Sequence, residues 1–273
     1  MGLTPKELPL QIDTMSDELR NSLWNYIAAS TGSEFDDTWK DLWKVSRRFY
    51  FRLTADEVPY NARECHAWLK SSFMNFLWNE VYDFMEFYIR SKTLVFRDDW
   101  QKERYYRQIE EEINLILERE YSGFRLINYE FCPITDQIEL DSIKQAINST
   151  IGKYDNIKTH LQKAILLMSK RPGPDYLNSI KESISAVEGL CKMVSGESSG
   201  GIDKAIAILV KQTNIHPNLQ DAFRKLYHYT SDEDGIRHPI LEQSTVGLVE
   251  AKYMLVVCSA FVHYVIMKVE QIT

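Results

Sequence analysis

Apolar residues recur along this chain at three- and four-residue intervals almost from end to end, the period of helices with one buried face. Ser16 is placed to cap a first helix, with Asp17 and Glu18 in its first turn and Leu19, Leu23, Trp24 and Ile27 turned inward. A short second helix holds Trp39, Leu42 and Trp43. From about 65 to 90 the stripe Leu69, Phe73, Phe76, Leu77, Val81, Phe84, Met85 and Tyr88 predicts one helix. Another runs from about 98 to 120 through Trp100, Ile109, Ile113, Ile116 and Leu117, and ends near Gly123. The period then shortens, and 124–127 and 129–132 read as a hairpin turning at Asn128.

Beyond a junction at 133–136 the helical period returns. Ile143, Ile147, Ile151, Tyr154, Ile157, Leu161, Ile165 and Met168 mark one face of a long helix, which the Pro-Gly-Pro run at 172–174 must stop. Asp175 caps the next helix, with Leu177, Ile180, Ile184, Val187, Cys191 and Val194 on one side. Glu188 falls at the margin of that stripe, where a carboxylate either calls for a cationic partner or stands at the rim in solvent. The Gly/Ser-rich stretch 195–201 is a loop, without the Gly-Lys-Ser/Thr ending of a phosphate loop. Helices at about 202–213 and 218–229 follow, separated by His216-Pro217, and a last one at about 247–269 is apolar on nearly every side. The pattern predicts an all-α chain with a minor β-hairpin, divided at 1–137 and 138–273.

Composition sharpens this in three places. All six tryptophans fall within the first 100 residues, and at helical spacing they read as core rather than as a ligand cage. The four cysteines lie dozens of residues apart, with no metal-ligand or disulfide-framework spacing, so we expect a reducing, cytoplasmic setting and no metal or cofactor. The most apolar run, 254–267, is 14 residues long and holds His263; it is shorter than a membrane span, so no membrane partner is expected. The net charge of −7 excludes a generally basic nucleic-acid surface. Residues 1–140 carry 17 Lys+Arg against 25 Asp+Glu, and residues 141–273 carry 15 against 14. An RNA partner is therefore expected to meet a local site in the second half.

The candidate chemistry sits between the last two helices, in Asp232-Glu233-Asp234-Gly235-Ile236-Arg237-His238-Pro239. Acid-Gly is turn chemistry, and Pro239 pushes His238 toward extended backbone. Side by side, Arg237 offers an anion clamp and His238 a proton shuttle. The plainer reading is a solvated turn whose acids cap a helix and pair with Arg237.

The stretches 175–188, 226–238 and 250–262 together resemble abortive-infection proteins of the AbiJ type, whose C-terminal part is similar to a HEPN domain. Residues 15–24 and 121–125 likewise resemble one class of AbiJ N-terminal domain. The resemblance implies a HEPN-like helical bundle that pairs two-fold. In many members it implies a metal-independent endoribonuclease acting against phage, with tRNA or mRNA as substrate and a phage trigger or a partner defence protein. By that likeness Arg237 and His238 are catalytic, and Glu188, Asp232, Glu233 and Asp234 support them. The usual HEPN spacing leaves four to six residues between Arg and His. Here the two are adjacent, and Arg224 and His228 have three residues between them. The rival reading is a catalytically silent HEPN scaffold for dimerisation and signalling, or an antitoxin-like partner.

Overall fold

The computed structural model describes residues 10–94, 96–196, 202–213, 215–231 and 246–271. Among them the fold is all-α with one two-stranded hairpin. The chain forms two compact units, Met1–Pro133 and Ile134–Thr273.

The first unit holds α1 (Asp17–Thr31), α2 (Thr38–Val45), a π-helical turn (Ser46–Tyr50), α3 (Ala62–Asn75), α4 (Trp78–Thr93), α5 (Asp99–Arg119), β1 (Arg125–Ile127) and β2 (Glu130–Cys132). Ser16 caps α1 as its position predicts, its Oγ accepting from the Leu19 N–H at 3.2 Å. Leu19, Leu23, Trp24 and Ile27 are buried, and Trp24 stacks on Trp39 with ring centroids 5.8 Å apart. Trp43 is buried too, whereas Trp100 stands exposed.

The single helix expected at 65–90 is two. Phe76 and Leu77 are extended (ψ 148° and 160°), and α4 restarts with the Leu77 N–H bonded to Glu80 Oε2 at 2.7 Å. The break turns Phe76 into an aromatic cluster with Phe51, Phe73 and Phe84. No Gly or Pro announces it.

The hairpin turns at Asn128 and Tyr129, both with positive φ (49° and 68°), the type I′ geometry that matches strand twist. Its register pairs Arg125 with Cys132, Leu126 with Phe131 and Ile127 with Glu130. Helices hold it by polar contacts: Asn114 bonds Leu126 through both its amide oxygen and nitrogen, and the Phe131 N–H donates to Glu86 Oε1 at 2.8 Å. At Gly123 the backbone meets Gln11, and a Cβ there would lie 2.9 Å from the Gln11 carbonyl oxygen, so only glycine fits.

The second unit holds α6 (Gln137–Ser149), α7 (Asp155–Ser169), α8 (Tyr176–Ser195), α9 (Ile202–Thr213), α10 (Pro217–Ser231) and α11 (Leu248–Glu270). The long helix expected over 143–168 is again two, parted where Gly152 takes φ 86°. α11 is the hub, packing Met254, Leu255, Cys258, Phe261, Val262 and Val265 against α6, α7 and α8. At 23 residues and mean hydropathy 1.5 it is long and apolar enough to cross a membrane by composition alone. Its packing inside the bundle is that of a core helix.

Candidate functional site

Of the six residues singled out from sequence, only Glu188 lies within the described part. Asp232, Glu233, Asp234, Arg237 and His238 lie outside the described residues. What can be built is the frame of helices from which that segment leaves and to which it returns.

α8 begins at Asp175, which accepts from the Asn178 N–H at 3.1 Å, so the cap read from sequence is the cap observed. Its apolar face buries Ile180, Ile184, Val187, Leu190 and Cys191. Glu188, half-buried at the edge, accepts from Lys192 Nζ at 2.7 Å, one turn further on. That is the cationic partner the stripe called for. The carboxylate raises the Lys192 pKa, chiefly through this hydrogen bond. Beside them, burial pushes the Cys191 thiol up to about 12, with Glu188 adding to the effect.

α10 starts with Pro217, whose missing N–H costs nothing in a first turn, and the His216 ring nitrogen Nδ1 accepts from the Asn218 N–H at 3.1 Å. One side of α10 places Phe223, Leu226 and Tyr227 against Ile184, Val187 and Cys258 around an apolar cavity of about 10 Å³, too small for a ligand. The other side carries Arg224 and His228, four residues apart and so on one face. Arg224 Nε stands 3.6 Å and His228 Nε2 3.5 Å from the same oxygen, Oδ1 of Asp203 on α9. All three are about half exposed and the distances are long, so solvent screens the cluster and its contribution to stability is small. Chemically it is an acid holding an imidazole and a guanidinium close together. The Arg224–His228 spacing is visible in the sequence, but Asp203 becomes their partner only when α9 packs on α10.

Sequence reasoning also missed a groove between α7 and α8 of about 340 Å³, lined by Asn156, Thr159, His160, Lys163, Gly189 and Met193. In it His160 Nδ1 lies 2.6 Å from Glu182 Oε2, with Lys163 3.9 Å from the other carboxylate oxygen. Gly189 lets the helices meet closely, since a Cβ there would come within 2.9 Å of Ile157 Cδ1. Among the described residues no group of three or more His, Cys, Asp or Glu is arranged to hold a metal.

Comparison with known proteins matches residues 1–149 to the family described as AbiJ N-terminal domain 4. The match runs past the hairpin and takes in α6, the first helix of the second unit. No curated protein and no solved structure matches the chain. More than half of the sequence thus carries the signature of one family, and the chain belongs to the AbiJ N-terminal domain 4 family, a protein of abortive-infection type.

Proposed function

We propose that this chain acts in abortive infection through its C-terminal half, as a HEPN-like, metal-independent endoribonuclease that works as a two-fold dimer. The observation that carries the reading is the union of an AbiJ N-terminal domain with a second unit whose described elements are all helices, and in whose sequence Arg237 and His238 are adjacent between α10 and α11. In this mechanism the RNA 2′-OH attacks the adjacent phosphodiester. His238 takes the hydroxyl proton or returns one to the leaving oxygen, and Arg237 stabilises charge on the phosphorane. Glu188 on α8 and the acids at 232–234 orient the pair.

The exposed side of α11 supports the dimer. Val249, Tyr253, Val256, Ala260, His263 and Met267 follow four-three spacing along it, and Val249 and Tyr253 are 71% and 55% exposed. A stripe of this kind on a core helix suits a second copy of the same helix. The same stripe also favours the rival, a silent pairing scaffold. The two part on chemistry. Purified chain incubated with tRNA and with total RNA in excess chelator should produce fragments ending in 2′,3′-cyclic phosphate and leave DNA intact, because DNA lacks the 2′-OH. A stable dimer that leaves every RNA uncut would favour the scaffold.

A further inference from the structure

In the first unit, α2 does not simply end. It runs into a π-helical turn in which the Phe51 N–H bonds the Ser46 carbonyl, five residues back, at 2.9 Å. π-turns are rare and gather at functional sites. This one changes which side chains face water. In an uninterrupted α-helix Phe49, seven residues after Leu42 and three after Ser46, would return to the buried face. The extra residue in the turn carries it outward instead, and Phe49 is 63% exposed. Near the turn, Ser46 Oγ and Trp43 Nε1 are buried with no hydrogen-bond partner, and Arg52 just beyond holds a positive φ of 54°. A local structure with these costs, presenting a phenyl ring to solvent, asks for a purpose.

The charges around it supply one. Residues 44–52 read Lys-Val-Ser-Arg-Arg-Phe-Tyr-Phe-Arg, four cations with no acid, inside a half of the chain that is otherwise strongly acidic. Lys44, Arg48 and Arg52 are exposed. Arg47 is held in place: its Cζ lies 4.8 Å from the Trp43 ring and 5.4 Å from the Trp68 ring, and its Nε donates to the Thr54 carbonyl at 2.7 Å. Arg48 lies over the Phe49 ring at 5.2 Å. Among the described residues none of these four cations makes an ion pair, although Asp41, Asp56 and Glu57 are near in sequence. Guanidinium groups without an ion pair, beside an exposed ring, match a phosphate backbone with an unpaired base stacked on the aromatic face. A membrane surface would call for a broad apolar helix face. An acidic peptide would use the charges and leave the Phe49 ring idle.

We propose that residues 44–52 form a binding site for single-stranded nucleic acid. The guanidinium groups of Arg47, Arg48 and Arg52 and the ammonium of Lys44 contact phosphates, and Phe49 stacks on a base. Counting charge by halves hides this site, because the surrounding carboxylates outnumber the cluster. The proposal stands on the first unit alone and is independent of Arg237 and His238.

The test is fluorescence anisotropy of a labelled twelve-nucleotide single-stranded RNA against the full chain, in an Arg237→Ala, His238→Ala background that removes cleavage. Phe49→Ala and Arg48→Glu should each weaken binding at least fivefold while leaving the melting profile in place, since both side chains are exposed. Arg48→Glu should also flatten the dependence of log K on log[salt] by about one phosphate contact or more. Single-stranded DNA of the same length should compete, and duplex should compete poorly because its bases are stacked. No binding at low salt, binding indifferent to both variants, or equal competition by polyglutamate or anionic vesicles would overturn the proposal.

Discussion

Glu86 offers the sharpest test of how the first unit is held together. It sits on α4, buried, and accepts the Phe131 N–H through Oε1 at 2.8 Å; its Oε2 lies 3.9 Å from Arg90 Nη1. Arg90 in turn bonds the Tyr129 carbonyl at 3.1 Å and pairs with Glu130. One carboxylate thus helps fasten the hairpin to the helix beneath it. Glu86→Ala leaves a buried N–H without its acceptor and removes a charge-assisted bond, a loss of about 2–3 kcal/mol. Arg90 keeps Glu130, so the ion pair itself adds little. Glu86→Gln retains an acceptor oxygen for Phe131 and should cost less than about 1 kcal/mol. Urea unfolding followed by tryptophan fluorescence isolates the effect, because all six tryptophans lie in Met1–Pro133 and the signal reports that unit. With an m-value of about 2 kcal/mol/M, the alanine variant should lower the midpoint by about 1 M and the glutamine variant by well under half of that. An alanine midpoint within about 0.3 M of the parent, or glutamine as damaging as alanine, would refute the reasoning.

Three further outcomes follow from the structure. Burial raises the Tyr88 hydroxyl to about 12, so below pH 10 its folded-state advantage is complete; it is lost as pH rises from 10 through 12, by about 2–3 kcal/mol. The fluorescence midpoint should fall over that window, and more shallowly in Tyr88→Phe. All four cysteines are buried, with Cys191 and Cys258 both pushed up to about 12 by burial, so native protein at pH 8 should resist a thiol reagent until denaturant is added. Ala260→Glu places a charge on the exposed stripe of α11 without touching the core, so if the proposed dimer forms there, light scattering should show it turned to monomer with the helical melt preserved.

Much of the fold was legible because helices announce themselves by period and cap. Ser16 and Asp175 cap where a polar residue precedes an apolar stripe, and Asn128 turns a hairpin because it tolerates positive φ. The breaks were harder. Gly152 signals one, but Phe76-Leu77 has no breaker; only packing of the Phe76 ring decides it. Of the candidate site, the Glu188–Lys192 pair was readable as a charge at a stripe's edge, since its partner lies one turn away on the same helix. Asp203 was not, because its link to Arg224 and His228 exists only across the packing of two helices. The exposure of Phe49 was least legible of all: an α-helical period assigns it to the interior, and one additional residue in a turn reverses that assignment.

Whether Arg237 and His238 cut RNA, as proposed, is measured most directly by the cleavage rate of the parent chain beside His238→Ala and Arg237→Ala, with a helical melt of each. Either substitution should abolish cleavage in chelator while the melt stays nearly unchanged, as expected where only the chemistry is lost. Cleavage that survives both substitutions would contradict the proposal. So would variants that cut nothing and are also several kcal/mol less stable, the mark of a structural Arg–acid pair.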